Sequence, residues 1–490
     1  MSGQRRYLKF AAVLLVTVAL ALSARAQDTS QQDPQEPDTA APSKPKPAAR
    51  GIPSISDPNA TVENETTKQD WQPDTAPATG LQVPGVGTPE LAHSYWVPGL
   101  EYGSTIQSRP LGPQATSSSG WYANNYVGAD LSLLKAWSRS QLGINYSGGG
   151  YFSTDSQINS GAYQQLSSGY TLQTNRLQFQ LFDFFSYIPD SQFGFANGTN
   201  LALPGISGTL GPAVPGLGAA IIPNQNIYAA VGPRYSNAFA AQATYSLSRR
   251  SSLTFGGSFG LLHFTQTGSV DNDMAIGTAG YNYAINKTSS IGLLYRFTAY
   301  HYTGEPQALG NHVVNFVYVK KINQRLALSL FGGPQITTYR IPIGTATDNV
   351  SASGGATFTY VIPNGSLGAS YFHGLANGGG VLVGSNMDQV TFGFTHLIGR
   401  VWSADVNLGY SRNSSLGTQT GAPNQAFSDW FVGGGVSRPI GRNFNVAATY
   451  TVRYESSSLS PCTGTACSYN YTQNMVSVSL QWHTRPFVLP

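Results

Sequence analysis

The stretch VTFGFTHLIGRVWSADVNLGYS, residues 390–411, contains two alternating segments separated by a short turn. Every second side chain in each segment is apolar or aromatic, and the side chains between them are small or polar. The first set is Val390, Phe392, Phe394, His396 and Ile398, followed by Trp402, Ala404, Val406, Leu408 and Tyr410. Because successive side chains of a β-strand point to opposite faces, each segment predicts a strand with one apolar and one polar face. The same alternation recurs from Phe444 and from Val476.

The connections between these segments have a second rhythm, in which short turns alternate with long polar loops. The predicted short turns are 138–140, 174–176, 249–251, 286–288, 323–325, 364–366, 399–400 and 441–443. The longer loops include 303–311, 342–349, 374–387, 413–427 and 457–468. The alternating runs are about 8 to 11 residues long, which suits strands tilted across a bilayer. Short turns at one end and long loops at the other are typical of outer-membrane barrels.

The composition excludes several other classes of protein. Only 10% of the residues are charged, against roughly 25% in ordinary soluble domains. A surface that faces lipid needs few charges, and a lumen can be lined by uncharged polar side chains. The net charge of +4 is scattered, so no nucleic-acid partner is predicted. After the N-terminal apolar run no segment reaches the roughly 18 apolar residues of a spanning helix.

Residues from about 120 to 490 resemble a bacterial outer-membrane β-barrel of porin size. The last alternating run ends on the aromatic Trp482, as the assembly signal of that class does, although the tail 483–490 follows it. The resemblance implies an all-β fold, a transmembrane antiparallel up-and-down β-barrel in the bacterial outer membrane. No motif identifies a particular family within that class.

Counting strands by turns and loops gives about seventeen, and barrels of this kind have even numbers of strands. We therefore expect one more strand near residues 95–107, for about 18 strands, with 16 as the alternative if two segments merge. Barrels of 16 to 18 strands enclose an aqueous channel.

The N-terminal part divides into two segments before the barrel. Arg5, Arg6 and Lys9 precede the short apolar run 10–22 and the small-x-small motif Ala24-Arg25-Ala26, which predicts a signal peptide over residues 1–26. Residues 27–89 are rich in Pro, Gln, Asp and Thr, and we expect a disordered periplasmic segment that acts as a spacer or as a tether. Residues 90–490 form the predicted barrel.

The fold predicts a porin-like channel for the passive passage of small hydrophilic solutes. The alternatives are a barrel for polysaccharide export or surface attachment and, with less support, a hydrolase embedded in a barrel. No catalytic residue is predicted, because no His–Ser spacing stands out. No metal site is predicted, because Cys462 and Cys467 have no further ligands nearby in the sequence, and no cofactor is predicted. The expected partners are outer-membrane lipid and small hydrophilic solutes, and a homo-oligomer is left open.

Several residues are candidates for shaping the pore. By register, Arg296, Asp405, Arg453 and Glu455 face the lumen, where charge sets ion preference, although such charges are often paired and structural. The Gly- and Pro-rich connection 189–234, which includes Asp190 and Arg234, is a candidate constriction loop, with a mobile outer loop as the alternative.

The only two cysteines, Cys462 and Cys467, lie in the last long loop. In an exported protein a close pair in a loop is most simply a disulfide.

Overall fold

The structure is a computed structural model that describes residues 94–108, 120–155, 160–188, 234–265, 270–303, 308–340, 347–377, 382–399, 401–416, 426–457 and 470–489. The strands in these ranges are β1 Ser94–Ser108, β2 Trp121–Ala136, β3 Ser140–Ser153, β4 Gly161–Gln173, β5 Leu177–Ile188, β6 Arg234–Ser246, β7 Ser251–Phe264, β8 Asn272–Ala284, β9 Ser289–Tyr302, β10 Ala308–Lys321, β11 Leu326–Arg340, β12 Thr347–Ile362, β13 Gly365–Ala376, β14 Ser385–Ile398, β15 Trp402–Ser415, β16 Ala426–Ile440, β17 Phe444–Ser457, β18 Asn470–His483 and β19 Phe487–Leu489.

Each strand from β1 to β18 pairs antiparallel with its neighbours in the chain, and the sheet closes where β1 pairs with β18. The closing register runs from Gly99 opposite His483 to Gln107 opposite Met475. The predicted all-β, up-and-down barrel of 18 strands is therefore confirmed, including the first strand near residues 95–107. The alternative of 16 strands is wrong, because the predicted segments remain separate.

The C-terminal tail adds a short strand to the barrel. Beyond Trp482 the chain forms β19, which pairs antiparallel with Ser94–Trp96 at the beginning of β1. The rings of Trp96 and Phe487 stack with centroids 4.8 Å apart. The tail that follows Trp482 thus gives the beginning of β1 a pairing partner beyond the end of β18.

The short turns and the long loops segregate to opposite ends of the barrel. The predicted short turns join β2 to β3, β4 to β5 and so on to β16 and β17, so both ends of the described chain lie at the short-turn end. Asn364, Gly399 and Gly441 adopt positive φ angles in these turns, as tight hairpin connections require.

The outer face carries exposed apolar side chains and the inner face carries buried polar ones. On β1, Leu100, Tyr102 and Ile106 point outward and are about half exposed, whereas Glu101, Thr105 and Gln107 point inward. The side chains of β1 thus alternate between an apolar outer face and a polar inner face, as the sequence predicts. Among the described residues there is no helix long and apolar enough to cross a membrane.

Candidate functional site: the inner wall of the barrel

A row of four paired residues crosses the inner wall from β1 to β4. Glu101 lies opposite Gly128, Gly128 opposite Gly149, and Gly149 opposite Tyr163. Gly128 leaves room for the Tyr163 side chain, whose hydroxyl donates a hydrogen bond of 2.7 Å to Glu101 Oε1. Ser147 Oγ donates a second bond of 2.5 Å to the same oxygen.

A second carboxylate lies next to this row. Asp130 is on the inner face of β2, and its Oδ2 is 2.9 Å from Nε2 of His483 at the end of β18. Gly99 lies between them in the register, and a Cβ there would be 2.4 Å from Asp130 Oδ1. We call Glu101, Asp130, Ser147, Tyr163 and His483 the acidic wall patch. It brings together residues from both ends of the described chain where the barrel closes.

On β16 and β17, Arg453 forms ion pairs with two carboxylates. Its Nη2 lies 3.0 Å from Asp429 Oδ1 and 2.5 Å from Glu455 Oε2, and all three side chains are at most 1% exposed. We call Asp429, Arg453 and Glu455 the arginine triad. Because its charges are buried and held in direct ion pairs, its main expected effect is on the structure of the wall.

Arg296 and Asp405 are also on the inner face, but their charges have no partner of opposite sign in the described structure. Arg296 is in the middle of β9, with a buried Nε that has no hydrogen-bond partner. Asp405 is near the short-turn end of β15 and accepts a 3.1 Å bond from Asn407. The four predicted pore-lining residues thus divide into two uncompensated charges and two members of the triad. Their role in selectivity stays a prediction.

An apolar cluster lines the inner wall towards the long-loop end. It contains Met274, Ile276, Tyr300, Tyr302, Leu309, Tyr339 and Leu375. Val383, from the connection between β13 and β14, packs against it, and neighbouring Leu382 is 4% exposed. The described end of this connection, residues 382–384, therefore lies against the apolar cluster. Sequence reasoning missed it, although Leu382 and Val383 stand out as apolar residues in a Gly-rich loop.

The predicted constriction loop falls largely outside the described residues. Asp190 lies outside them, whereas Arg234 begins β6 on the inward register and is 5% exposed. Cys462 and Cys467 also lie outside the described residues, so their disulfide stays a prediction. Within the described part of the chain, no group of three or more His, Cys, Asp or Glu residues could hold a metal ion.

No protein-family model matches the chain, and no curated protein is similar to it. Solved structures do resemble it in part. OpdL of Pseudomonas aeruginosa is 12% identical, with a TM-score of 0.39 over 80% of this chain and 99% of that one. A BenF-like porin from Pseudomonas fluorescens Pf-5 is 10% identical, with a TM-score of 0.40 over 81% and 99% of the two chains. OccAB4 of Acinetobacter baumannii is 10% identical, with a TM-score of 0.39 over 82% and 100%. At this level the likeness carries no conclusion about solutes.

Proposed function

We propose that this protein is an outer-membrane channel for the passive passage of small hydrophilic solutes. The observation that carries the proposal is the two-faced closed sheet: 18 paired strands with apolar side chains outside and polar side chains inside. An apolar outer band is what a barrel needs in lipid. A barrel of this strand number is wide enough to enclose water.

The height of the outer band supports the membrane location. On β15 the outward side chains from Trp402 to Tyr410 are apolar, and on β14 those from Val390 to Ile398 are apolar apart from His396. Towards the long loops they give way to Asp388, opposite Arg412 in the register. This band corresponds to about 9 residues of tilted strand, close to the length that spans the hydrocarbon.

The inner wall supports passage of polar solutes rather than of apolar ones. Inward side chains such as Thr105, Asn124, Ser411 and Asn413 carry hydroxyls and amides on the inner face, where they are buried. Charges of both signs occur there, so the proposed channel has no strong general preference for cations or anions. The apolar cluster, with Leu382 and Val383 beside it, lies at the long-loop end of the proposed path.

Liposome swelling tests this function directly. Vesicles loaded with an impermeant polymer and containing the purified protein should swell in isotonic solutions of small neutral sugars. The swelling rate should fall steeply as the sugar becomes larger, because the wall limits the size of the solute. Vesicles that contain folded protein and swell no faster than empty vesicles would contradict the proposal.

A further inference from the structure

The turns at the short-turn end of the barrel carry exposed positive charge and no negative charge. Their exposed cations, which we call the basic rim, are Arg139, Arg176, Arg249, Arg250, Lys287, Arg325, Arg442 and Arg485. Lys320 and Arg438 are exposed on the adjoining strand ends. No Asp or Glu occurs in the short connections that the structure describes. Such a one-signed edge creates a positive potential over this end of the barrel.

The acidic residues of the described barrel lie elsewhere. They are Glu101, Asp130, Asp155, Asp183, Asp271, Asp273, Asp348, Asp388, Asp405, Asp429 and Glu455. These residues lie within strands or next to the long loops. The basic rim therefore has no acidic neighbour within its own described connections, and its positive potential can attract an anionic segment.

The chain itself contains a segment of the opposite sign. Residues 27–93, which precede β1, contain ten acidic residues against four basic ones, Lys44, Lys46, Arg50 and Lys68, so their net charge is −6. The acidic residues are Asp28, Asp33, Glu36, Asp38, Asp57, Glu63, Glu65, Asp70, Asp74 and Glu90. We call residues 27–93 the acidic leader.

The point of attachment places the two opposite charges close together. The acidic leader joins the barrel at Ser94, which pairs with Leu489 at the short-turn end. The root-mean-square span of a random coil of 67 residues is roughly 45 Å, and 67 extended residues measure over about 200 Å. Every turn of the basic rim is therefore within reach. Tethering also gives an effective concentration of about millimolar, so that several weak surface ion pairs suffice.

We propose that the acidic leader binds the basic rim of its own barrel. The proposal rests on charge and connectivity and does not depend on transport. Anionic lipid headgroups are the other polyanion that a cationic rim could bind, and they would suit the outward-facing Lys320 and Arg438. Most of the rim cations lie instead in the turns, beyond the strand ends, where a tethered chain can reach them.

Carbodiimide crosslinking of the full mature chain tests the proposal. The carbodiimide adds to a carboxylate to form an O-acylisourea. A lysine amine then attacks the acyl carbon, an amide bond forms and the reagent leaves as its urea. Every lysine after residue 93 is at this end of the barrel, namely Lys135, Lys287, Lys320 and Lys321. We expect amide links from acidic-leader carboxylates to Lys287 and Lys320 in nanodiscs of zwitterionic lipid at about 0.01 M salt. Their yield should fall about tenfold at 1 M salt, where the screening length is about 3 Å.

Three controls decide what occupies the rim. A variant with every acidic-leader Asp and Glu replaced by Asn and Gln keeps the length and the prolines, and should leave the same lysines unlinked. An equal mixture of isotopically heavy and light protein should yield links within single chains. Links within the acidic leader, from Lys44 or Lys46, show that the reagent has reacted.

Absence of rim links at low salt, while those internal links form, would overturn the proposal. Links found only between heavy and light chains would overturn it as well. Links that disappear when anionic lipid is added to the nanodiscs would assign the basic rim to lipid headgroups instead.

Discussion

Gly128 is the residue on which the row from Glu101 to Tyr163 depends most closely. A Cβ at this position would be 2.2 Å from the Tyr163 hydroxyl and 2.7 Å from the Gly148 carbonyl oxygen. We expect Gly128→Ala to displace Tyr163 from Glu101 and to lower the free energy of unfolding by about 1–3 kcal/mol. Tryptophan fluorescence during urea unfolding from lipid vesicles measures this value.

The matched control for this substitution is Gly277→Ala, since a Cβ at Gly277 has nothing within 4 Å. Its unfolding midpoint should equal that of the unsubstituted protein or exceed it slightly. Equal losses at the two positions would show that the Tyr163 bridge contributes nothing and that any strand alanine is harmful.

Arg453 is expected to be structural, because its guanidinium forms ion pairs with two buried carboxylates. Arg453→Met leaves those carboxylates without their cation and should lower the free energy of unfolding by about 3–5 kcal/mol. The triple variant Arg453→Met, Asp429→Asn, Glu455→Gln removes the charges together and should recover much of that loss. A triple variant no more stable than the single one would contradict this explanation.

Asp183 is an anomaly on the outer face of β5. It lies midway along the strand, opposite Phe239, and accepts a 3.0 Å hydrogen bond from Asn237 Nδ2. A carboxylate at this depth in lipid is costly, so Asp183→Val should raise the free energy of unfolding in bilayers by about 1 kcal/mol. Asn237 keeps its bond to the Phe184 carbonyl oxygen.

Asp388→Val provides the comparison, because Asp388 lies at the edge of the apolar band and accepts bonds from Tyr371 and His373. This variant should be less stable than the unsubstituted protein. Destabilisation by Asp183→Val as well would mean that the outer face of β5 contacts something other than lipid.

At the scale of elements, β19 extends the pairing edge of β1 without closing the barrel, since β1 and β18 already pair from Gly99 to Gln107. Deleting residues 487–490 should leave a folded barrel and lower the free energy of unfolding by about 1 kcal/mol, mainly through loss of the Trp96–Phe487 stack. Heat-modified migration on gels shows whether the barrel has folded. A deletion variant that never gains the folded mobility would instead make β19 part of the assembly signal.

The strands could be predicted from the sequence because the two-residue period and the turns between strands are local signals. The 390–411 stretch contains both, and its two halves form β14 and β15 around the predicted turn. In β5 the run LFDFF places bulky groups on both faces, so alternation could not show that Asp183 points outward.

The contacts of the wall could not be predicted in the same way. Glu101 and Tyr163 are 62 positions apart, and they meet only because the registers of three strand pairs align across two glycines. The two-residue alternation places both Arg296 and Arg453 on the inner face. It does not show that one is uncompensated and that the other is held between two carboxylates.

At the scale of the whole molecule, the uncompensated inner charges should govern ion preference. Arg296→Gln should raise the cation-to-anion permeability ratio on the order of twofold, and Asp405→Asn should lower it to a similar extent. Reversal potentials across a salt gradient measure both changes. Glu455→Gln, within the buried triad, serves as the control and should change the ratio less. A larger effect from Glu455→Gln than from Arg296→Gln would contradict this assignment.

Single-channel recording in a planar bilayer tests most directly whether the closed sheet encloses water. Purified protein, shown to be folded by its β-type spectrum and gel mobility, should insert with its apolar face in lipid and produce uniform, long-lived current steps. The step size should grow in proportion to bulk salt conductivity, as it does for a water-filled path. Folded, inserted protein that carries no current under these conditions would contradict the account.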